Sequence, residues 1–499
     1  MKHAAAGFDK KNVEPMMTVF VFVFLFFMMT CHLTHSALWA DEWVEYNVSR
    51  ASIANGDLYR NVIRTYQPPL YNVVMHFWLK INDSILWFRF FNVVLGMISG
   101  IFLCESLRIL YHRTAANIAV ILLAVSYQWI FCIQECSEYA LMLMFCFGAI
   151  LYFIKAVKTP SWFHTILFIF MCVGAMYSQY GSFFVVVPLL ILYFIWICKE
   201  KNVKRIWMVT GMYFMSLLLF ALPLYYFYAR IQLLNNEIGD HTLSLSTAAL
   251  SVKEFLTTPG LMIRYLWNIG SDDVITVFFQ IVSLVLLILS VIVLTQKKAE
   301  KEKRSLIVTL LAAYMIHYVL VKLHIYAMIH PGESAGFFGR YSYFYIPLLT
   351  VAVPVILLEF LSMIKNPKWK NVICGITGMM LLLTIVISFP KIMKNWNKSY
   401  DDQFAQIWID EKGYEDTTFL LGTAGYGFYY YIGNEWDTGN VYDESAIDPE
   451  NLPERFWLWR TNWGGEGYAS TLSAAEEQGY HVNVYMDYGS SGQLAFCFK

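Results

Sequence analysis

Charged side chains are scarce in this sequence, and their scarcity excludes most classes of soluble protein. Lysine and arginine supply 36 of the 499 residues and aspartate and glutamate 37, so 15% of the chain is charged, against about 25% in typical soluble domains. Hydrophobic residues make up 58%. The formal net charge of -1 provides no basic surface of the kind that a nucleic-acid backbone requires. The composition therefore indicates an integral membrane protein surrounded by lipid, and it excludes nucleic acid as a partner.

Cysteine is also infrequent, with nine residues in the chain. Most of them lie in or beside apolar runs. Cys132 and Cys136 are close together, but no second pair repeats the spacing of a metal site. We interpret the cysteines as small apolar packing residues rather than as a disulfide framework. No cofactor is predicted, and a divalent metal is compatible with the sequence but not indicated by it.

Long apolar runs are what the sequence has in abundance. A helix needs about 20 largely apolar residues to cross a bilayer. About eleven runs approach or meet this requirement, at residues 16–38, 85–110, 114–133, 139–157, 162–179, 181–198, 206–228, 274–294, 305–320, 341–363 and 372–388. The first run is longer than the apolar core of a signal peptide and lacks a good cleavage site, so we predict a retained helix. The predicted fold class is an all-α polytopic membrane protein.

Basic residues occur in every second loop between these runs, for example at 199–205, 297–304 and 365–370. Cytoplasmic loops of membrane proteins carry such an excess of lysine and arginine. With eleven spans, all of the basic loops fall on one side. The sequence therefore predicts a multi-pass cell-membrane protein with a cytoplasmic amino terminus and an extracytoplasmic carboxyl terminus.

The hydropathy falls sharply near residue 391, and a polar tail follows. Residues 417–422 and 456–460 have strand-like patterns, and 471–478 has a helical composition. Residues 481–488 and 493–499 flank a Gly-Ser-Ser-Gly turn and predict a hairpin. We therefore expect two domains: a transmembrane domain at 1–390 and a small extracytoplasmic α/β domain at 391–499.

The first candidate site follows the first span, at Asp41 and Glu42. A carboxylate between Trp39 and Trp43 at a membrane surface is partly desolvated and could act as a base toward a hydroxyl. The alternative is that the two acids cap a helix in water.

The second candidate is Gln67-Pro68-Pro69-Leu70-Tyr71. Pro68 ends one element, and Pro69 can stand in the first turn of the next. The stretch 71–80 is too short to span a membrane and carries Trp78, which predicts a helix lying in the membrane interface. The alternative is an ordinary join between a loop and a helix.

Ionisable residues mark the remaining candidates. Arg89 lies inside the outer end of a span, where a charged residue is functional by default, and Glu135 near Tyr139 is its candidate partner. The alternative for Arg89 is that its side chain extends to the interface. Farther along, Lys322 and Arg340 bracket one outer loop, and such cations could hold a phosphate at the membrane surface.

Taken together, these features resemble the polytopic glycosyltransferases of the GT-C class. The likeness is strongest to bacterial family 39 members, which are relatives of protein O-mannosyltransferases and of the lipid A aminoarabinose transferase. It extends over about 16–388. The marks that carry it, in order along the chain, are Ala40-Asp41-Glu42, Gln67-Pro68-Pro69-Leu70-Tyr71, Arg89-Phe90-Phe91-Asn92, Gln134-Glu135 followed by Tyr139-Ala140-Leu141, and Gly339-Arg340-Tyr341 with Pro347.

The resemblance implies a polyprenyl-phosphate-linked sugar as donor and the hydroxyl of an extracytoplasmic protein, lipid or cell-envelope glycan as acceptor. Asp41 would be the base, an inverting displacement would follow, and Arg340 with Lys322 or Arg264 would stabilise the leaving phosphate. One departure is that Ser137 stands where relatives have arginine, which puts the donor or the activity itself in question. The alternatives are a polyprenyl-linked lipid or sugar transporter, or a non-catalytic membrane subunit.

Overall fold

The structure is a computed structural model of the whole chain. It describes residues 10–33, 36–65, 67–235, 251–270, 272–296, 300–323, 339–394, 399–422, 424–432, 436, 438–461, 467–488 and 492–499. These residues form two compact units. The first comprises Met1–Cys31, Ser49–Asp83 and Trp87–Met393, and the second comprises His32–Val48, Ser84–Leu86 and Lys394–Lys499.

The first unit is helical because its backbone polar groups must pair within each segment when no water is available. In chain order the helices up to residue 393 are α1 Lys10–Thr30, α2 Ala40–Arg50 (of which only the last two residues belong to this unit), α3 Asp57–Val62, α4 Leu70–Leu79, α5 Ile85–Leu110 (whose first two residues belong to the second unit), α6 Arg113–Ala124, α7 Tyr127–Gln134, α8 Tyr139–Lys158, α9 Trp162–Ser178, α10 Phe183–Lys199, α11 Val203–Ser216, α12 Leu222–Leu224, α13 Arg230–Asn235, α14 Val252–Leu266, α15 Asp273–Thr295, α16 Lys301–Lys322, α17 Tyr345–Met363 and α18 Pro367–Met393.

The predicted fold class is confirmed. Eight helical segments of the described chain are long and apolar enough to cross a membrane. Helices α6 and α7, which form a bent pair, are together long and apolar enough to form another span. Glu14–Thr30 and Trp162–Ser178 are shorter apolar helices. Each of the eleven predicted runs therefore has a helical counterpart, and the chain is a multi-pass membrane protein.

Two predicted runs differ from the helices that the structure shows. The first was expected to continue to Leu38, but α1 ends at Thr30 and regular helix resumes only at Ala40. The third was expected to be one straight span, but α6 and α7 meet at an angle of 66°. The cause lies at Ser126, whose backbone is extended and whose hydroxyl donates a hydrogen bond to the carbonyl of Leu266, 3.0 Å away.

Several of the loops predicted to share one side, among them those at 199–205 and 297–304, meet at one end of the helices. Lys303 Nζ lies 2.9 Å from the Glu359 carboxylate, and the hydroxyl of Tyr111 donates to the same carboxylate at 3.0 Å. Lys301 Nζ lies 3.3 Å from Glu200. Lys158 Nζ lies 3.6 Å from Glu300, immediately before α16, and 3.8 Å from Glu302, in the first turn of α16. The alternation of basic loops thus corresponds to a real end of the bundle. Which side of the membrane this end faces stays a prediction.

Tight packing joins the helices of this unit. Helix α8 is the most deeply buried of the candidate spans, with 83% of its most apolar stretch buried inside the protein. Helices α14 and α15 approach so closely at Gly260 that a Cβ atom there would overlap the carbonyl of Phe279. Small residues permit such close approach of membrane helices, where packing replaces the hydrophobic effect as the driving force.

The second unit contains the tail, whose predicted α/β character is confirmed. It has strands β1 Thr417–Gly422, β2 Val441–Asp443, β3 Arg455–Thr461, β4 His481–Asp487 and β5 Gln493–Phe498, with helices α19 Asp401–Asp410, α20 Ala424–Ile432 and α21 Gly467–Glu477. The strand order is β2-β1-β3-β5-β4. Strand β1 pairs parallel with β2 and β3, and β5 pairs antiparallel with β3 and β4.

The sheet is stabilised by aromatic clusters on its two faces. Trp408, Trp457 and Trp459 are almost fully buried in one cluster, and Phe419 with Phe456 in the other. The segment His32–Val48 belongs to the same compact unit as the tail. No pattern in the sequence indicated this association, and the predicted division at 390/391 stays a prediction.

Candidate functional site

The proline pair positions the first part of the candidate site in the first unit. Pro69 stands immediately before α4, and its carbonyl accepts the first helical hydrogen bond, from Val73 N at 3.0 Å. The predicted helix after the prolines is therefore present as Leu70–Leu79. The Trp78 and Trp87 rings stack at 4.3 Å, and each indole N–H donates to the other residue's carbonyl. These contacts fix α4 against the start of α5.

A chain of hydrogen bonds then connects three of the predicted motifs. The Tyr71 hydroxyl donates to Oδ1 of Asn92 over 3.5 Å, and Nδ2 of Asn92 donates to the carbonyl of Glu135 at 2.6 Å. All three residues are buried. The Asn92 side chain is fully buried, and both its oxygen and its nitrogen take part in these hydrogen bonds. They hold the turn after α7 in place.

The fourth motif joins at the Glu135 carboxylate. Nη1 of Arg340 lies 3.6 Å from Oε1 of Glu135. The Glu135 side chain is 1% exposed, whereas that of Arg340 is 24% exposed. The structure places Arg340 beside Glu135. Arg89, the partner that the sequence suggested, is buried in α5, and its pairing with Glu135 stays a prediction. The Arg340 guanidinium is thus partly accessible and lies beside a buried carboxylate.

Aromatic side chains enclose this ion pair. Tyr139 meets Tyr343 edge to face with ring centroids 5.4 Å apart, and the Tyr343 hydroxyl donates to Gln128 at 3.0 Å. Tyr265 hydrogen-bonds Tyr343 and lies within the fields of both Glu135 and Arg340. Burial, reinforced by the charge of Glu135, raises the pKa of Tyr265 to about 12. The Tyr265 hydroxyl therefore keeps its proton, which it can donate to the Tyr343 oxygen.

The other two predicted phosphate-binding cations have protein partners. Lys322 Nζ lies 2.7 Å from Glu254, and Nη1 of Arg264 donates to the Thr276 hydroxyl at 2.6 Å. Their predicted role stays a prediction. The other ionisable residues of the outer loop between Lys322 and Arg340, which are His324, His330 and Glu333, lie outside the described residues.

The position of the family's arginine is also well defined. Ser137 is 2% exposed, and its backbone N–H donates to the carbonyl of Glu135 at 3.0 Å. It thus lies in the same buried turn that Asn92 holds. An arginine at this position would add a second cation close to Glu135, in addition to Arg340.

Asp41 and Glu42, the predicted catalytic acids, lie in the second unit and have different surroundings. Both lie in the first turn of α2, where carboxylates interact favourably with the helix dipole. Glu42 is fully buried, and its Oε2 accepts the backbone N–H of Trp39 at 3.3 Å, as a capping glutamate does. Asp41 is only half-buried. Glu42 thus caps the helix, but from a buried position rather than in water. The catalytic role predicted for the two acids stays a prediction, with Asp41 as the base.

Aromatic residues of the tail hold the helix that carries these acids. The Trp43 indole is 1% exposed and packs against Tyr430 and Tyr431 of α20, with centroids at 5.1 and 6.3 Å. Tyr46, one turn later, meets Tyr430 edge to face at 6.0 Å. Sequence reasoning missed this set, and the run of three tyrosines at 429–431 was the signal that could have found it.

Metal ligands do not gather anywhere in the part of the chain that the structure describes: no three His, Cys, Asp or Glu side chains come close enough to hold an ion. The prediction that no cofactor takes part rests on the sequence alone.

Comparison with known proteins gives a similarity to one family over part of the chain, and a fold. Residues 66–226 match the model of the dolichyl-phosphate-mannose-protein mannosyltransferase family. This range contains the proline motif, Arg89–Asn92 and Glu135. No curated protein matches the sequence closely enough to count as a relative.

Solved structures show the likeness in three dimensions. The apo oligosaccharyltransferase of Archaeoglobus fulgidus matches with a TM-score of 0.52 and 11% identity, over 95% of this chain and 70% of that one. The same organism's oligosaccharyltransferase AglB, in complex with an inhibitory peptide and a dolichol-phosphate, gives 0.47 and 13%, over 85% of this chain and 64% of that one. ArnT from Cupriavidus metallidurans gives 0.45 and 9%, over 97% and 98%.

The chain thus spans about two thirds of the length of the archaeal enzyme. The family match and the shared fold confirm the resemblance that the motifs predicted. The protein is of the GT-C type, a polytopic membrane fold, and it is similar to the family 39 glycosyltransferases.

Proposed function

We propose that this protein is a glycosyltransferase that moves a sugar from a polyprenyl-phosphate carrier to the hydroxyl of an extracytoplasmic acceptor. The observation that carries the proposal is the convergence of four motifs, at Tyr71, Asn92, Glu135 and Arg340, within one unit. These motifs are separated along the sequence and lie in or beside different helices. A purely structural ion pair would not require an accessible arginine bordered by several aromatic side chains.

The chemistry of the site suits a phosphate leaving group. The negative charge on the carrier phosphate grows as the bond to the anomeric carbon breaks, so a fixed cation lowers the barrier. Arg340 carries a planar guanidinium beside Glu135 that is 24% exposed, and such a fork matches the geometry of a phosphate. Tyr265 and Tyr343 keep their protons and border the guanidinium, with their hydroxyls hydrogen-bonded to each other and to Gln128.

The base in this proposal is Asp41, for which the resemblance and the exposure of its side chain are the support. It would accept the proton of the acceptor hydroxyl as that oxygen attacks the anomeric carbon. The bond to the phosphate oxygen would break on the opposite face, so the anomeric configuration would invert. The tail contributes by holding Trp43, two residues from the base.

Reconstitution of the full chain in nanodiscs tests the proposal. The protein is incubated with a panel of labelled polyprenyl-phosphate sugars and an extract of cell-envelope acceptors. We expect one donor to be consumed, with release of polyprenyl phosphate and a product of inverted configuration. If folded protein cleaves none of the donors but moves labelled lipid between leaflets of a liposome, the transporter alternative replaces the proposal.

A further inference from the structure

The tail contains a cavity that the proposed transferase chemistry does not use. It has a volume of about 520 Å³ and lies at the carboxyl end of the parallel strands β1 and β2. Gly422 ends β1, Gly425 lies in the first turn of α20, and Asp443 ends β2. In sheets with parallel strands, ligands bind in the crevice at this end, because helix starts and loops converge there.

The charge of this cavity excludes an anionic ligand. The backbone N–H groups of Gly422 and Gly467, which could otherwise hold a phosphate, donate to the carboxylate of Glu444 at 3.4 and 3.1 Å. A second carboxylate, Asp443, lines the cavity, and no basic side chain does so among the residues described. A phosphate or nucleotide would therefore meet two negative charges and no compensating cation.

The aromatic lining favours a sugar over other neutral ligands. Tyr429 and Tyr442 both line the cavity, with 54% and 44% of their surface exposed. Exposed aromatic faces are electron-rich and pack against the polarised C–H groups of a pyranose. Asp443 already accepts hydrogen bonds from the backbone and hydroxyl of Ser445, which fixes its carboxylate at the rim, where it can also accept from sugar hydroxyls.

From these observations we propose that the tail carries an accessory binding site for a neutral carbohydrate, formed by Tyr429, Tyr442 and Asp443 at the carboxyl end of β1 and β2. The site is separate from the proposed transferase chemistry and does not depend on it. Its ligand is a pyranose without charged substituents, held by two tyrosine faces and one carboxylate.

Gly425 allows the cavity to be filled without damage to the fold. A Cβ atom at this position would meet one neighbour, Leu420 Cδ1, at 4.0 Å. Gly425 is helical, and leucine is a better helix former than glycine, so Gly425→Leu should fold at least as well as the wild type. Its side chain would project into the space that the sugar needs.

Saturation-transfer NMR on the full chain in nanodiscs tests this site. The probes are the methyl glycosides of mannose, glucose, galactose and N-acetylglucosamine, with glucose 6-phosphate as the anionic comparator. We expect at least one neutral glycoside to bind the wild type and glucose 6-phosphate to bind at least tenfold more weakly. Gly425→Leu and Tyr429→Ala should each weaken neutral binding at least tenfold.

Matched controls identify the site. Tyr426→Ala removes an exposed tyrosine of the same helix that does not line the cavity, and Asp448→Asn removes an exposed carboxylate in a similar turn. Both should bind as the wild type does. The proposal is overturned if none of the neutral glycosides binds, if binding persists in Gly425→Leu, or if the phosphorylated sugar binds better. Because binding is measured without a donor, an inactive transferase would leave the result interpretable.

Discussion

The guanidinium of Arg340 lies 3.6 Å from the carboxylate of Glu135, although the two residues stand far apart in the sequence. Glu135 is buried and Arg340 is accessible, so the pair behaves as an oriented cation rather than as a surface ion pair. A surface pair contributes little to function or stability because water screens it.

Replacement of Arg340 should therefore impair donor use. We expect Arg340→Ala to lower kcat/KM for the donor about 10²–10³-fold, the usual effect of losing a fixed group that stabilises developing charge. Arg340→Lys should fall between this variant and the wild type, because it keeps the charge and loses the planar fork. Steady-state cleavage of the polyprenyl-phosphate sugar measures both. Arg108→Ala, which breaks an exposed pair with Glu105, is the control. Wild-type activity of Arg340→Ala at limiting donor would refute the assignment.

The contact between Trp43 and Tyr430 predicts that the tail positions the candidate base. Tyr430→Ala removes ring contacts to both Trp43 and Tyr46. We expect kcat to fall several-fold while KM for the donor stays unchanged, because the base is displaced and the phosphate site is untouched. Tyr426→Ala, on the same helix, should leave both parameters as they are. Restored kcat in Tyr430→Phe would identify packing as the cause, and an unaltered kcat in Tyr430→Ala would contradict the positioning role.

Asp401 should make the stability of the tail depend on pH. It is fully buried and accepts a hydrogen bond from Trp459 Nε1 at 3.2 Å. Burial raises its pKa from 3.8 to about 7, against the opposing effect of that bond and of nearby Ser399, Thr461 and Trp43. Between about pH 4 and pH 7 the folded state keeps a proton that the unfolded state releases, so stability falls as the pH rises and levels off above pH 7.

Asp401→Asn should remove this slope, because the amide does not ionise. At pH 8 the variant should be more stable than the wild type, by an amount on the order of 1 kcal/mol or more, and the difference should shrink toward pH 4. Hydrogen exchange of the β3 amides in the full chain, measured across this range, reports the opening free energy of the sheet. Parallel profiles for the two proteins would show that Asp401 does not titrate in this window.

Gly260 should be intolerant of any side chain. A Cβ atom there would overlap the backbone of Phe279, which cannot turn aside as a flexible side chain could. We expect Gly260→Ala to destabilise the membrane unit by about 1–3 kcal/mol, the usual cost of overpacking. Gly211→Ala and Gly375→Ala are matched controls, since nothing lies within 4 Å of a Cβ atom at either position. Thermal unfolding in detergent compares the three, and equal stability would show that α14 and α15 separate easily.

The sequence was sufficient for features that depend on local pattern. Apolar runs predicted the helices, alternating residues predicted β1, β3 and the β4–β5 hairpin, and Pro68-Pro69 predicted the start of α4. Each of these follows from residues that are adjacent in the chain. The sequence did not predict the bend at Ser126, because the apolar run continues through that residue. The bend depends on a hydrogen bond from Ser126 to Leu266, which belongs to another helix.

The candidate site was predictable as a list of residues but not as an arrangement. Glu135 could be singled out, yet its pairing with Arg340 requires two helix ends to meet after long intervening loops. The contact between Trp43 and Tyr430 could not be predicted either, because it joins residues that are far apart in the chain. Glu42 looked equivalent to Asp41 until its capping bond to Trp39 was seen. Side-chain roles that depend on packing are not encoded in spacing.

The central claim is that Asp41 is the base of a sugar transfer from a polyprenyl-phosphate donor. Its most direct test is the rate of donor consumption by Asp41→Asn and Glu42→Gln in nanodiscs with cell-envelope acceptors. We expect Asp41→Asn to bind the donor and to consume it about 10²–10⁴-fold more slowly than the wild type. Glu42→Gln should stay active, because glutamine can still accept the Trp39 N–H. Normal turnover by Asp41→Asn together with an inactive but folded Glu42→Gln would contradict the assignment.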